Sequence, residues 1–259
     1  MHAKITPLIL TLNEAPNIGR TLERLGWAND IVVVDSGSTD DTREILARHK
    51  NVRVFVRTFT THAEQWNFGL LETGIRTDWV LALDADYVLS AALVEEIGGL
   101  AEASDVAGYL ASFDYCVHGR LLRGAAYPPV VALFRKSSAY YVQDGHTQRL
   151  RCAGNVLAVN GRILHDDRKP LNQWLVAQGR YMGLEAEKLC TLPWRELAPA
   201  DRLRKMMVLA PFVMLFFCLF VRGNIFDGWP GIFYALQRTT AEAILSLALL
   251  QRKLDGSKG

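Results

Sequence analysis

Ile31–Val34 is an unbroken run of β-branched residues, IVVV, and DSGSTDDTREILARH follows it directly. A run of this kind suits a strand covered on both faces, which requires a parallel sheet with helices above and below it. The neighbouring segments repeat the arrangement. Ile5–Leu12 (ITPLILTL) leads into a loop-and-helix pattern, NEAPNIGRTLERL, and Val52–Val56 (VRVFV) leads into a helical HAEQWNFGLLETG. Trp79–Leu83 leads to a helix expected over Leu89–Ala103. Ser38, Thr39 and Asp40 are each suited to cap the helix after the second strand. Strand and helix alternating at this spacing predict right-handed βαβ units and an α/β fold.

From Gly108 to Leu164 the pattern changes to short β-type pieces, GYLASFDYCV, VVALFR, AYYVQD, NVLAVN and RILH, broken by glycines and by Pro128-Pro129. These predict a mixed or antiparallel extension of the same sheet. After Pro170 the chain turns helical, with one helix over LNQWLVAQGRYMGLEAEKLC and two more beyond it. The expected division is therefore a sheet domain over 1–170 and a helical region over 171–259.

Three polar clusters fall where the parallel strands should end. They are Thr11-Leu12-Asn13-Glu14, Asp35-Ser36-Gly37-Ser38 and Asp84-Ala85-Asp86. Ligands of open α/β sheets bind beyond the carboxyl ends of the strands, so three such clusters would line one crevice. Asp84 and Asp86 would share a side if the chain were extended there. Their charges then call for a metal ion, a basic side chain or plain water. Neither a G-x-x-x-x-G-K-[ST] nor a G-x-G-x-x-G after a strand is present, which removes the main support for P-loop and dinucleotide sites. A formal net charge of +2 and the lack of a long basic block argue against nucleic acid as a partner. The four cysteines are widely spaced, which argues against a zinc site or a disulfide framework.

Taken in order, LILTLNEAPNIGRTLERL, IVVVDSGSTDDTREI, QWNFGLLETGIRTDWVLALDADY and RILHDD resemble successive motifs of glycosyltransferase family 2, over about the first 170 residues. The rest resembles bacterial members that build lipopolysaccharide core or other surface glycans. The resemblance implies a GT-A, Rossmann-like mixed sheet flanked by helices. It also implies inverting transfer of a hexosyl or N-acetylhexosaminyl group from a nucleotide diphosphate sugar, with a UDP-sugar favoured. Thr11, Asn13, Glu14, Asp35, Gln65, Asn67 and Asp84 then fall at donor-binding positions, and Asp86 at the position of a Mg2+ or Mn2+ ligand. Tyr87 stands where many relatives carry an acid, so the ring is expected to pack on the donor or acceptor instead.

Inverting transfer also needs a base for the acceptor hydroxyl. In YVQDGHTQRL, Asp144 is the first candidate and His146 its competitor, against a plain Asp-Gly turn. In RILHDDRKP, His165 is a candidate metal ligand and Arg168 a partner for the leaving phosphates, against a structural histidine and a solvated loop. Arg120 and Arg123 read first as a solvated loop, with an anionic acceptor as the competing reading.

Met206–Val221 is sixteen uncharged apolar residues, flanked by Arg202, Arg204 and Lys205 and by Arg222. A helix of that length falls short of a hydrocarbon core about 30 Å thick. Cationic ends suit a segment lying in one leaflet, and Pro211 is expected to kink it; a buried core helix is the competing reading. The N-terminal stretch lacks a long apolar core, so the expected location is cytoplasmic, at the inner face of the inner membrane. The expected acceptor is then lipid-linked or of lipopolysaccharide type. Three alternatives stand beside this reading: a polyprenyl-phosphate glycosyltransferase of the same fold, a nucleotidyltransferase, and a silent sugar-nucleotide-binding scaffold.

Overall fold

The computed structural model describes residues 4–100 and 105–256. Two compact units are formed. The first comprises Met1–Cys116, Tyr127–Gln143 and Thr147–Arg168, and the second Val117–Ala126, Asp144–His146 and Lys169–Gly259. The division in sequence thus lies at 168/169, and two short loops from the earlier part of the chain join the helical unit.

In the first unit β1 (Ile5–Thr11), β2 (Ile31–Asp35), β3 (Val52–Val56) and β4 (Trp79–Asp84) are joined through α1 (Ile18–Glu23), α2 (Thr42–Ala47) and α3 (His62–Glu72). A short β5 (Tyr87–Leu89) and α4 (Ala91–Leu100) follow. Residues 101–103, the expected end of α4, lie outside the described residues. β6 (Val106–Val117) comes next, then β7 (Arg120–Leu121), which lies in the second unit. β8 (Val130–Arg135) and β11 (Asn155–His165) complete the main sheet, while β9 (Ala139–Asp144) and β10 (Thr147–Cys152) pair as a separate ribbon. The sheet order is β3-β2-β1-β4-β8-β6-β11-β5. β1 to β4 are parallel, β8 runs antiparallel to β4 and β6, β11 is parallel to β6, and β5 is antiparallel to β11. The mixed extension expected from the sequence is present.

Side chains alternate along the central strands, as the pleat requires. Leu8, Val32, Val34, Val80, Ala82 and Phe134 pack on one face with Trp66 and Leu70 of α3. Ile9, Ile31, Val33, Trp79, Leu81 and Leu83 pack on the other with α1 and α4. Both faces of β2 are therefore closed to water, which is why its sequence has no polar alternation.

Three local expectations are corrected. None of Ser38, Thr39 and Asp40 is the N-cap of α2: Asp41 holds that position without a side-chain bond. Asp40 instead accepts from Ala15 N and Thr42 N, both at 3.1 Å, so it ties the β1 and β2 loops together. NVLAVN and RILH are one strand, β11, with an irregularity between Ala158 and Arg162. The amides of Asn160 and Gly161, freed from the ladder there, donate to Glu96 of α4. Finally, the helix over Leu171–Thr191 is followed by three α-helices rather than two.

The second unit contains α5 (Leu171–Thr191), α6 (Pro199–Lys205), α7 (Leu209–Phe216) and α8 (Gly228–Gly256). A π-helical stretch, Phe217–Val221, continues α7. The left-handed backbone of Met207 (φ 53°) separates α6 from α7. Pro211 does not kink the apolar segment, because it falls in the first turn of α7, where no N–H is needed for the helix. The bend lies further on, at Gly223 and Gly228 (φ 74° and 63°), and turns Leu209–Val221 by 67° from the helical stretch after Gly223. Among the described residues no single helix is long and apolar enough to cross a membrane, although this bent pair together has the length and apolar composition of a span.

Packing of Met182, Ala186, Leu189, Leu197, Ala241, Leu245 and Leu249 forms the apolar centre of this unit. Beside it lies a charged network. Buried Glu185 bonds His146 Nδ1 at 2.8 Å and Arg204 at 2.9 Å, and Arg204 reaches Glu242 at 3.1 Å. Lys188 binds Asp144 at 2.8 Å and Asp201 at 3.1 Å. Burial opposes the charge on Glu185, but the His146 hydrogen bond with the charges of Arg204, His146 and Lys188 outweighs it and lowers the carboxyl to about 2.

Two predictions follow from this packing. A Cβ on Gly161 would stand 2.4 Å from Leu93 Cα, a backbone atom that cannot step aside. Gly161→Ala should therefore lower stability by about 1–3 kcal/mol in urea unfolding. Glu185 has a depressed pKa, so its stabilisation is present above the ordinary carboxyl value of 4.5 and is lost as pH falls toward 2. The stability gap between wild type and Glu185→Gln should be about 3 kcal/mol near pH 6 and should shrink steadily below pH 4.5.

Candidate active site

The three polar clusters meet at the carboxyl end of the parallel strands. Across β1, Thr11 is level with Asp35 of β2, and Leu10 is level with Asp84 of β4. Adjacent strands lie about 4.8 Å apart, so these ends form one rim.

Asp35 is fully buried. Its carboxylate accepts from Thr11 Oγ1 (2.9 Å), Gly37 N (3.1 Å), Ser38 N (2.8 Å) and Ser38 Oγ. Four donors match the accepting capacity of a carboxylate, so Asp35 and Thr11 shape the turn after β2. Ser38 Oγ in turn accepts from Asn13 N at 2.9 Å. Asn13 has a left-handed backbone (φ 55°), tolerable for asparagine, and its Oδ1 accepts from Thr39 N at 2.8 Å. The β1 and β2 loops are thereby locked to each other.

Glu14 connects this rim to the end of β11 through Asn17, a residue that the sequence pattern did not single out. Asn17 is fully buried and donates to Glu14 Oε2 (2.8 Å) and Asp167 Oδ1 (2.9 Å). Its Oδ1 accepts from Arg20 (2.8 Å) and from Arg168 N (3.0 Å). Buried Asp166 takes Arg20 at 3.0 Å and Arg168 Nε at 2.9 Å. The guanidinium of Arg168 is thus held by a carboxylate, with its side chain 44% exposed toward solvent. The only sequence signal for Asn17 was its place three residues after Glu14, just before a helix.

The Asp84-Ala85-Asp86 segment is not extended. β4 ends at Asp84, Ala85 and Asp86 form a turn, and β5 begins at Tyr87. Two bonds fix this turn: Thr21 Oγ1 donates to Ala85 O at 2.7 Å and Asp166 N to Asp86 O at 3.4 Å. Asp86 is 8% exposed, and its Oδ2 lies 3.5 Å from His165 Nε2. His165 stacks on Tyr115 (centroids 4.6 Å, 15° between planes) and also contacts Tyr87 and Tyr127. Its buried Nδ1 has no hydrogen-bond partner among the described residues. Tyr87 does not stand open to a ligand: it packs against Phe113 at 4.9 Å and bonds Tyr127 through its hydroxyl. Burial and the nearby charge of Asp84 push both tyrosine hydroxyls well above their ordinary value.

Gln65 is fully buried, and its amide donates to Ser36 Oγ (3.0 Å) and Arg57 O (3.1 Å). It supports the β2 turn from α3. Asn67 serves another purpose, exchanging two hydrogen bonds of 2.9 Å with the backbone of Tyr141 and so fastening β9 to α3. Asp144 and His146 belong to the second unit, where they are held by Lys188 and Glu185. Because Glu185 is ionised, it must accept, so His146 Nδ1 donates and Nε2 faces away from the pair.

Among the described residues no group of three or more His, Cys, Asp or Glu side chains could hold a metal ion. Asp86 with His165 offers an oxygen and a nitrogen, a donor pair that a cation could use if a ligand's phosphates completed its shell.

The family model described as glycosyl transferase family 2 matches residues 8–157. An uncharacterized glycosyltransferase of Rickettsia bellii is 37% identical over 109 residues, which are 42% of this chain and 36% of that protein. The chain therefore spans little more than a third of the length of the first curated relatives it matches. The lipopolysaccharide core biosynthesis glycosyltransferase LpsC of Rhizobium meliloti is 27% identical over 203 residues, 71% of each chain. Among solved structures, S. aureus TarS 1-349 in complex with UDP-GlcNAc aligns with TM-score 0.49 and 15% identity, covering 97% of this chain and 92% of that one. The mixed, helix-flanked sheet is the GT-A arrangement expected of such a sequence, and with more than half of its length matched by the family model, the chain belongs to glycosyl transferase family 2.

Proposed function

We propose that this chain is an inverting glycosyltransferase that moves a hexosyl or N-acetylhexosaminyl group from a nucleotide diphosphate sugar, with UDP-sugars favoured, to a membrane-anchored glycan of the lipopolysaccharide-core type. The observation that carries the donor half is the convergence of the β1, β2 and β4 ends on one rim, with Glu14, Asp84 and Asp86 there and the loops locked by buried Asp35. The acceptor half is supported by the similarity to a protein named for lipopolysaccharide core biosynthesis. A cytoplasmic enzyme resting on the inner face of the inner membrane fits that acceptor.

In this reading Glu14 and the β2 turn bind the nucleoside, with Thr11, Asn13, Asp35 and Gln65 keeping that turn in place. Arg168 faces the departing phosphates. Asp86 and His165 would hold a Mg2+ or Mn2+ ion, which neutralises charge on a diphosphate leaving group when bound. The acceptor hydroxyl gives its proton to a base as its oxygen bonds the anomeric carbon. The bond from that carbon to the diphosphate breaks, the nucleoside diphosphate leaves with the electron pair, and the configuration inverts. Of the two candidates for the base we favour His146, since Glu185 accepts from its Nδ1 and the neutral form of the ring then carries its lone pair on Nε2, whereas Lys188 neutralises Asp144.

Calorimetry with a panel of nucleotide sugars, with and without manganese, tests the donor half. One uridine-linked sugar should bind in a metal-dependent way, and Asp86→Ala should remove that dependence and lower kcat roughly 100-fold or more. Absence of binding by every donor would sink the reading. For the base, His146→Gln should lower kcat roughly 100-fold, and Asp144→Asn much less. If neither changes kcat by more than a few-fold, attack by a polyprenyl phosphate oxygen, which needs no strong base, fits better.

A further inference from the structure

The second unit contains an open groove of about 370 Å³ between the loop carrying β7 and the first turns of α8. Its α8 wall is wholly apolar, with Trp229, Ile232, Phe233 and Leu236 facing the groove, while the loop wall brings His118 and Arg120. The volume falls within the range of roughly 300–1,000 Å³ usual for small-molecule sites.

The groove is built rather than incidental. Tyr234 Oη accepts from Ala126 N at 2.7 Å, and Asn224 Nδ2 donates to Gly124 O at 2.7 Å. Arg123 pairs with Asp227 at 3.3 Å. Gly231 allows the start of α8 to press on the preceding turn, since a Cβ there would lie 1.9 Å from Asn224 O. These contacts clamp the loop to α8 and fix the walls before any ligand arrives.

Charge and surroundings identify the occupant. Among the described residues no carboxylate lines the groove. Arg120 is exposed and, among the described residues, makes no ion pair or hydrogen bond through its side chain; the His118 ring lies 5.9 Å from that of Phe233. Exposed aromatic surface is plentiful in the same unit. Trp229 is 83% and Phe226 73% exposed, and Phe212, Phe216 and Phe220 of the α7 segment are more than half exposed. Arg123 and Arg222 lie over the rings of Phe226 and Phe217. Aromatic side chains bordered by arginines suit the headgroup level of a bilayer.

We propose that this groove takes one hydrocarbon chain of an anionic lipid drawn from a bilayer leaflet, with the lipid phosphate on Arg120 and His118. Binding of the lipid needs no sugar donor, so it stands or falls apart from the transfer reaction. The probes are a short-chain phosphatidic acid kept monomeric, its neutral phosphatidylcholine counterpart, and vesicles of phosphatidylcholine with and without phosphatidic acid. Calorimetry on the full chain should show the anionic monomer binding roughly ten-fold or more tightly than the neutral one. Arg120→Glu and Leu236→Glu, both at exposed positions, should each weaken it by a similar factor while circular dichroism and thermal unfolding stay unchanged. Three results overturn the proposal: no monomer binding, equal binding of the two monomers, or unaltered binding by both variants. Vesicle adsorption without monomer binding also overturns it, since it would indicate a sticky surface with no chain site.

Discussion

Asn17 is the side chain on which the arrangement of the candidate site depends most. It is excluded from water, and both ends of its amide are spent: two donors on Glu14 and Asp167, the acceptor on Arg20 and the Arg168 backbone. Glu14 follows the first strand of the sheet and Asp167 follows β11, so one amide joins segments 150 residues apart. A buried amide with an unfilled donor or acceptor costs far more than a satisfied one contributes, so this geometry is enforced by the penalty for leaving it. Asp166 reinforces the same junction by taking two guanidiniums and, through its N–H, the carbonyl of Asp86. Position of the β4 turn, and hence of the Asp86 carboxylate, is inherited from that junction.

A second constraint is the separation of roles among the acids. Asp35, Asp40 and Asp166 are consumed in holding loops, each with several donors pointing at it. Asp86 is also buried, and its side chain meets the imidazole of His165 at 3.5 Å. Of these acids it has the fewest protein donors aimed at its side chain. The tyrosines behind His165 keep water away from it and stiffen its ring, so its orientation is set by aromatic packing.

Much of this was legible in the sequence because it depends on local chemistry. IVVV reads as a strand closed on both faces, and polar clusters at the carboxyl ends of parallel strands share one crevice, so the meeting of Thr11, Asp35 and Asp84 was readable. What was not legible depends on contacts distant in the chain. Asn17 reads as an ordinary polar residue until Asp167 and Arg168 are brought to it. Tyr87 occupies a position expected to face a ligand, but β5 pairs with β11 and turns the ring into the core. Pro211 signals a kink only if the helix begins well before it, and the left-handed Met207 moves the start to Leu209. The network of Glu185, Lys188, Asp201 and Arg204 spans two helices and a loop whose register no local pattern records.

The central claim is that a nucleotide diphosphate sugar binds on the rim where β1, β2 and β4 end. Amide hydrogen exchange with and without saturating UDP and manganese tests it most directly, since loops ordered by a ligand exchange more slowly. The account predicts added protection over residues 11–17, 35–42 and 84–88, with β9 and β10 unchanged. Protection that falls elsewhere, with these three segments unaltered, would contradict it.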